Sequence, residues 1–425
     1  MKTLRLAIGA EKGGPWYELY REDCPVCGKQ GFCMIHEDKN RVVCTRVPSD
    51  YTWGKNNHGL HFLNKKKIKR NFDFSKVEDV QTVDKKTDQQ LDEIFRGMMD
   101  CLDLNDNHYK HLTGGDRQLK DDQITIRGYK SFPYEKPWNF VKEWADSLNM
   151  NVEDLIGTPS IYRYKNKYQS FITMKGLPSI MIPFRNHKNQ IVGFQLRVDQ
   201  VNNVAKVKNA LDGIKVDIAK QPNIVSVTYK SKEIFKGEFP IGSYQKVILK
   251  GKTLCEIKVS KGTRYFWLSS ANEEEGTGAG TPLPVHVSVP TRRLKKWKSG
   301  ETLKAKTVWI SEGPLKIDIA SDKAEELYDP MELDDIGTTF LGIPGVNQWH
   351  LILPILEEME VDTVNLAFDA DAASNPDVYH YLKECAIELK KRGYRGNLVR
   401  WNEEDGKGLD DLFNHYTLPQ IDKLF

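Results

Sequence analysis

A chain of 425 residues is too long for one ordinary hydrophobic core, so about two to four domains are expected. With 39% hydrophobic and 28% charged residues it reads as soluble and globular, and a net charge of +3 is too small to argue nucleic-acid binding by itself. Met1 to Gly14 lacks the apolar centre of a secretion signal, and no apolar run approaches the ~18–20 residues of a membrane span. A cytoplasmic protein without membrane contact is therefore expected.

Four of the seven cysteines fall between Cys24 and Cys44. Without a secretion signal, a metal site accounts for them better than disulfides. Cys24-Pro25-Val26-Cys27-Gly28 is a CxxC knuckle, whose turn lets two thiolates face one ion. Cys33 and Cys44 complete a closed, structural Cys₄ zinc set, with His36 or His61 as alternative ligands. The segment has too few apolar residues to build a core without a metal. Residues 1–63 are thus expected to form a zinc-binding ribbon, with short strands at Val42-Val43 and Gly59 to Leu63. Arg41, Arg46, Trp53 and Lys55 add a basic and aromatic mix suited to single-stranded nucleic acid, although each alone is ordinary surface.

Residues 64–90 read as a linker rich in Lys, Asp, Gln and Thr, with a basic cluster from Lys65 to Arg70. A mixed helical and β subdomain is expected over 91–305. Leu91, Ile94, Phe95, Met98 and Leu102 fall at helical spacing, as do Trp138, Val141, Trp144 and Leu148. Ser179 to Phe184 and Ile191 to Leu196 form a hairpin around a polar turn at Asn186 to Gln190. Residues at about 200–260 alternate β-branched and charged side chains and read as an antiparallel insertion. Gly251-Lys252-Thr253 imitates the end of a phosphate-binding loop, but Lys246 stands where its glycine would be. Gly276 to Pro284 is a flexible loop, and Arg292 to Lys298 is a second basic cluster. From 306 to 425 strands and helices alternate, which implies a parallel sheet. The expected strands are 307–311, 338–343, 363–368 and 397–401, and the helices 314–327, 348–359 and 375–392.

Two acidic clusters stand at strand ends. Glu312 closes the run from Thr307, and Asp369 and Asp371 follow the run from Val364 to Phe368. In a parallel α/β sheet the strand C-termini line the ligand crevice. Carboxylates there suit Mg²⁺, which takes hard oxygen ligands and keeps substrate phosphates in its shell. Asp410, in Lys407-Gly408-Leu409-Asp410-Asp411, is a more distant candidate that equally reads as a helix cap. Lys316 lies one helical turn beyond Glu312, and Gly342, Pro344 and Gly345 shape a turn near it.

Glu312-Gly313-Pro314, Asp369-x-Asp371 and the Lys407 to Asp411 cluster together resemble the TOPRIM domain of primases, topoisomerases and some nucleases. Upstream, Met181-Ile182-Pro183-Phe184-Arg185 with Gln190 to Arg197 looks like a block of the bacterial replicative primase. Arg264 to Ser270 resembles another of its segments, and His111-Leu112, Leu119 to Ile124 and Gly128-Tyr129 are similar to a further region of it. The likeness is nearest to the shorter primase-like proteins of mobile elements: phages, plasmids and integrative elements. It implies an α+β multidomain protein with a zinc ribbon, a mixed subdomain with a β insertion, and a C-terminal TOPRIM domain with a parallel sheet. It also implies synthesis of short primers from nucleoside triphosphates on single-stranded DNA, by a two-metal mechanism using Mg²⁺ or Mn²⁺. Asp369 and Asp371 would ligate metal, and Glu312 would be a ligand or general base. Arg185, Arg197, Arg264 and Lys316 would bind template or nucleotide phosphate. The zinc motif lacks the replicative primase's second CxxC. The chain ends soon after Asp411, so any helicase or polymerase partner would be recruited differently. A TOPRIM nuclease and a non-catalytic single-stranded-DNA-binding accessory protein are the alternatives.

Overall fold

The computed structural model describes residues 4–7, 15–53, 58–63, 72, 74, 77–78, 82–166, 168–211, 214–229, 232–249, 251–370 and 375–425. Lys55, the basic run from Lys65 to Arg70, and Asp371 lie outside the described residues. Two compact units emerge: Met1–Asp79 with Gln200–Arg264, and Val80–Asp199 with Tyr265–Phe425. No helix among the described residues is long and apolar enough to cross a membrane.

The first unit contains a seven-stranded sheet in the order Thr52–Trp53, His58–Phe62, Arg41–Cys44, Met34–His36, Trp16–Glu18, Leu4–Leu6, Val77–Glu78. Successive strand residues face opposite sides of a sheet, and here each side has its own packing. Val42 joins Leu4, Leu19, Ile35 and Phe72, whereas Val43 packs with Trp16. Six strands between Asn203 and Lys261 form two antiparallel three-stranded sheets. One pairs Asn203–Lys208, Lys252–Lys261 and Gln245–Leu249; the other pairs Ile214–Lys220, Ile224–Tyr229 and Lys232–Glu238. Val225, Val227, Val247, Cys255, Ile257 and Val259 form one shared core between them. That inward apolar set is the alternation visible in the sequence.

The second unit begins with helix Asp88–Asp100, started by Thr87 and Gln90 in a reciprocal capping box. Leu91, Ile94, Phe95 and Met98 are buried at the spacing the sequence displays. Helix Pro137–Ser147 differs from expectation in one position. Its buried face is Phe140, Val141, Trp144 and Ala145, while Trp138 is 41% exposed. Pro137 opens the helix, so Trp138 sits in the first turn and meets Phe171 edge-on at 6.2 Å. The hairpin Ser179–Arg185 and Ile191–Val198 pairs Ser179 with Val198 and Arg185 with Ile191. Its turn is held by the Asn186 carboxamide oxygen, which accepts from the Lys188 and Gln190 backbone N–H groups.

The C-terminal sheet has six strands in the order His286–Ser288, Thr339–Ile343, Thr307–Glu312, Thr363–Leu366, Arg395–Arg400, Gln420–Lys423. The inner pairings are parallel and both edge pairings antiparallel. Val308 and Ile310 face one apolar layer, and Trp309 faces the other, where it stacks on Phe340 at 5.3 Å. The helix expected over 348–359 divides into a 3₁₀ turn, Val346–Ile352, and a short helix, Leu353–Glu358. Pro354 cannot donate the backbone bond that would continue one helix into the other. Helix Pro330–Ile336, absent from the sequence expectation, starts at Asp329 with Glu332 reaching back to cap it.

Candidate functional site

In the first unit the sulfurs of Cys24, Cys27, Cys33 and Cys44 all lie within 4.8 Å of one another. Cys33 stands 3.7 Å from Cys27 and 3.8 Å from Cys44 through their sulfurs, so the thiols are free and clustered. The knuckle turn closes by Gly28 N–H donating to the Cys24 carbonyl at 2.8 Å. Gly28 adopts φ +69°, where a side chain would be strained. Arg46 donates to the Cys33 sulfur at 3.4 Å. Four sulfurs at this spacing suit a structural zinc ion. His36 and His61 stand outside the cluster: a His36 ring nitrogen lies 2.8 Å from Arg41, and His61 Nε2 lies 3.0 Å from the Val47 carbonyl.

In the second unit the carboxylates meet at the C-terminal edge of the parallel strands. Glu312 ends its strand, and its Oε1 accepts from the Val346 backbone N–H at 2.6 Å. This gives the Gly342 to Gly345 turn a role in holding Glu312. Lys316, in the first turn of helix Pro314–Leu327, spans both oxygens of Asp369 at 2.6 and 2.8 Å. Burial alone would depress the Lys316 ammonium, but Asp369, Asp410 and Glu312 hold it above its ordinary value. One lysine thus sits amid three carboxylates.

Asp410 is fully buried in helix Leu409–Asn414. The backbone N–H of Gly408 is met instead by Asp411 Oδ2 at 3.1 Å. Asp410 Oδ2 accepts from Arg117, and Oδ1 has no hydrogen-bond partner. Burial raises the Asp410 carboxyl above its ordinary value, with Asp411 adding to the rise and Arg117 opposing it. Gly408 lies close beside it: a Cβ there would come 2.5 Å from Asp410 Oδ1 and 3.1 Å from Lys316 Nζ, so a side chain would displace both groups. Sequence reasoning misses Arg117. Its only signal is its place inside the primase-like His111 to Tyr129 block, 293 positions from Asp410.

Apart from Lys316, the basic candidates each have a setting of their own. Arg185, expected to bind template or nucleotide phosphate, is buried, donating at 3.2 Å to Asn189 Oδ1 and 3.1 Å to the Arg127 carbonyl. Burial, with Arg96 nearby, lowers its guanidinium to about 10. Arg197 is half-buried, paired across the sheet with Tyr265. Arg264 is exposed and belongs to the first unit. Trp267 packs against Phe184 at 4.4 Å, a structural contact.

A second charged cluster, unforeseen in sequence, is sealed in the second unit. Arg127 donates to Asp318 Oδ1 at 2.7 Å and Asp322 Oδ2 at 2.8 Å, and also to Ser288, Ser321 and the Val289 carbonyl. His286 Nδ1 accepts from the Arg185 backbone N–H, which leaves Nε2 to donate to Asp318 at 3.1 Å.

A family model described as "Domain of unknown function (DUF3854)" matches residues 333–417. No curated protein matches the chain. Among solved structures, the Aquifex aeolicus primase (zinc-binding and RNA polymerase domains) is 12% identical, with TM-score 0.42, over 94% of this chain and 76% of that one. The RNA polymerase domain of Mycobacterium tuberculosis primase DnaG is 12% identical, with TM-score 0.40, over 77% and 79% of the two chains. A DnaG primase catalytic domain bound to single-stranded DNA is 10% identical, with TM-score 0.39, over 78% and 80%.

Proposed function

We propose that this chain is a primase-like nucleotidyltransferase that makes short primers on single-stranded DNA, with a TOPRIM-type domain over residues 306–425. The supporting observation is the meeting of Glu312, Asp369, Asp410 and Lys316 at the C-terminal edge of a parallel sheet, with one buried carboxylate oxygen left unsatisfied. A hard-oxygen donor set with spare valence fits Mg²⁺ or Mn²⁺. Glu312, Asp369 and Asp371 would hold such ions, with Asp410 behind them, and the bound ions would acidify a primer 3′-hydroxyl and neutralise nucleotide phosphates. The chain's own cations then have distinct tasks. Arg117 anchors Asp410, and Lys316 holds the Asp369 carboxylate in place through both of its oxygens. Zinc at the four cysteines would hold the first unit together. Single-stranded DNA and nucleoside triphosphates are the partners this reading requires, and a mobile-element origin belongs to the same reading.

A non-catalytic accessory protein is favoured by one observation: Lys316 already engages both oxygens of Asp369. One assay separates the two. With single-stranded templates, labelled NTPs or dNTPs, and Mg²⁺ or Mn²⁺, the wild type should extend oligomers and Asp369→Ala should not. Cleavage without synthesis would favour a nuclease. No reaction of either kind would leave the accessory role. Metal analysis checks the cysteines: wild type should carry one zinc ion and Cys27→Ser should lose it, and equal zinc content would refute the site.

A further inference from the structure

The side chains of the first unit that look suited to nucleic acid are largely engaged. Arg41 pairs with Asp38 at 2.6 Å and lies over the Trp16 ring, Trp53 packs on Trp16 at 4.6 Å, and Arg46 serves the cysteine cluster. The remaining positive charge is concentrated elsewhere. Residues 200–264 hold twelve Lys and one Arg against five carboxylates, net +8 in a chain whose total is +3. The other residues together are therefore acidic.

Part of that charge is gathered on one face of one small sheet. Lys206 stands directly opposite Lys258 across the antiparallel pair Asn203–Lys208 and Lys252–Lys261. Like charges so opposed destabilise a sheet, and a fold keeps such a pair most readily where a polyanion neutralises it. Lys208 and Lys258 place their ammonium groups 4.4 and 5.8 Å from the centre of the Tyr244 ring, which is 37% exposed. Partial burial first, then Lys29 and Lys258, lower the Lys206 ammonium, which puts Lys29 of the cysteine knuckle beside this face. Among the described residues, none of these four lysines has a carboxylate within ion-pair distance. The three strands of this sheet hold a single carboxylate, Glu256, across from Lys208 and Lys246. Lys206 and Lys208 project two residues apart, about 7 Å along the strand. An aromatic ring framed by cations is a stacking platform with a phosphate track beside it.

We propose that the outer face of the insertion, centred on Lys206, Lys208, Lys258 and Tyr244 and extended by Lys29, binds single-stranded nucleic acid. The phosphates lie along the lysines and an unpaired base stacks on Tyr244. A duplex offers no free base face for that ring. The choice of a single strand rests on the reading under Proposed function; the carboxylate crevice plays no part in it.

The test is fluorescence anisotropy of a labelled 20-nucleotide oligo-dT with the full chain, without added divalent ions, across a salt series. Lys206→Gln/Lys208→Gln/Lys258→Gln should bind at least about tenfold more weakly near 100 mM salt, and its salt slope should fall by about two, at roughly 0.7 for each phosphate no longer neutralised. A control removes equal charge from the other small sheet, Lys215→Gln/Lys220→Gln/Lys236→Gln, and should bind as wild type does. Because the first triple relieves a like-charge pair, its urea midpoint should equal or exceed that of the wild type, which excludes misfolding. Unchanged binding by the first triple, equal loss in both triples, or no binding by the wild type each overturns the proposal. Primer synthesis is measured separately. Its absence from a wild type that binds through this face removes the primase reading and leaves the platform standing.

Discussion

Two clusters in the second unit use the same residue types to opposite ends. Around Arg127, every carboxylate oxygen of Asp318 and Asp322 has a partner: Asp318 meets Arg127, His286, Ser288 and Tyr129, and Asp322 meets Arg127 and Thr291. Burial would raise Asp318, but Arg127 and His286 hold it well below the ordinary carboxylate range. In the crevice, Asp410 is as deeply buried, yet its carboxyl is raised and one oxygen is bare. Burial is common to both, so satisfaction makes the difference. A closed network fixes structure, while an incomplete one has room for an external cation.

The largest effect should come from opening the closed network. Arg127→Met leaves two buried carboxylates without their cation and should cost about 3–5 kcal/mol, read as a lower urea midpoint by tryptophan fluorescence. A cost under about 1 kcal/mol would erase the contrast. Asp318→Asn sharpens it through pH. Because the folded Asp318 carboxyl lies below its unfolded value near ~3.9, its contribution is complete above that value and is lost as pH falls through the folded one. The stability gap between wild type and Asp318→Asn should therefore hold from pH 7 to about 5 and narrow below about 4. Next, Mn²⁺ at a hundred times its dissociation constant should stabilise wild type by about 2.7 kcal/mol in thermal melts, and Asp369→Asn should abolish the shift. An equal shift in both would place metal elsewhere. Smallest is Asp410→Asn, expected to change stability by less than about 1 kcal/mol at pH 7, since removing a poorly accommodated charge offsets the loss to Arg117. A cost matching that of Asp318→Asn would show that the two clusters do not differ in kind.

These clusters also mark where sequence reading succeeds. Glu312 and Asp369 are legible because each follows an apolar run that forms a strand of the parallel sheet. Helix Asp88–Asp100 is legible from its spacing, and helix Pro330–Ile336 could have been, since Asp329-Pro330 followed by Glu332 is a start signal. The Arg127 network is different. Its partners stand up to 195 positions away, and Asp318 and Asp322 look like the polar face of an ordinary helix. Only the tertiary fold turns that face inward. Arg185 misleads for the same reason: its motif is visible, but its burial is not.

The insertion has a consequence for how this protein could be taken apart. Arg197 and Tyr265 are register partners on adjacent antiparallel strands, so the chain leaves the second unit and returns to it at neighbouring positions. Residues 200–264 are in effect the loop of a hairpin. Closing a long loop costs little more than closing a short one, about 0.6 kcal/mol per doubling of length. A short turn in its place would leave the register of that sheet unchanged. The gap between these two strands is a ready-made splice point, where a module can be gained, exchanged or lost without redrawing the sheet that carries it.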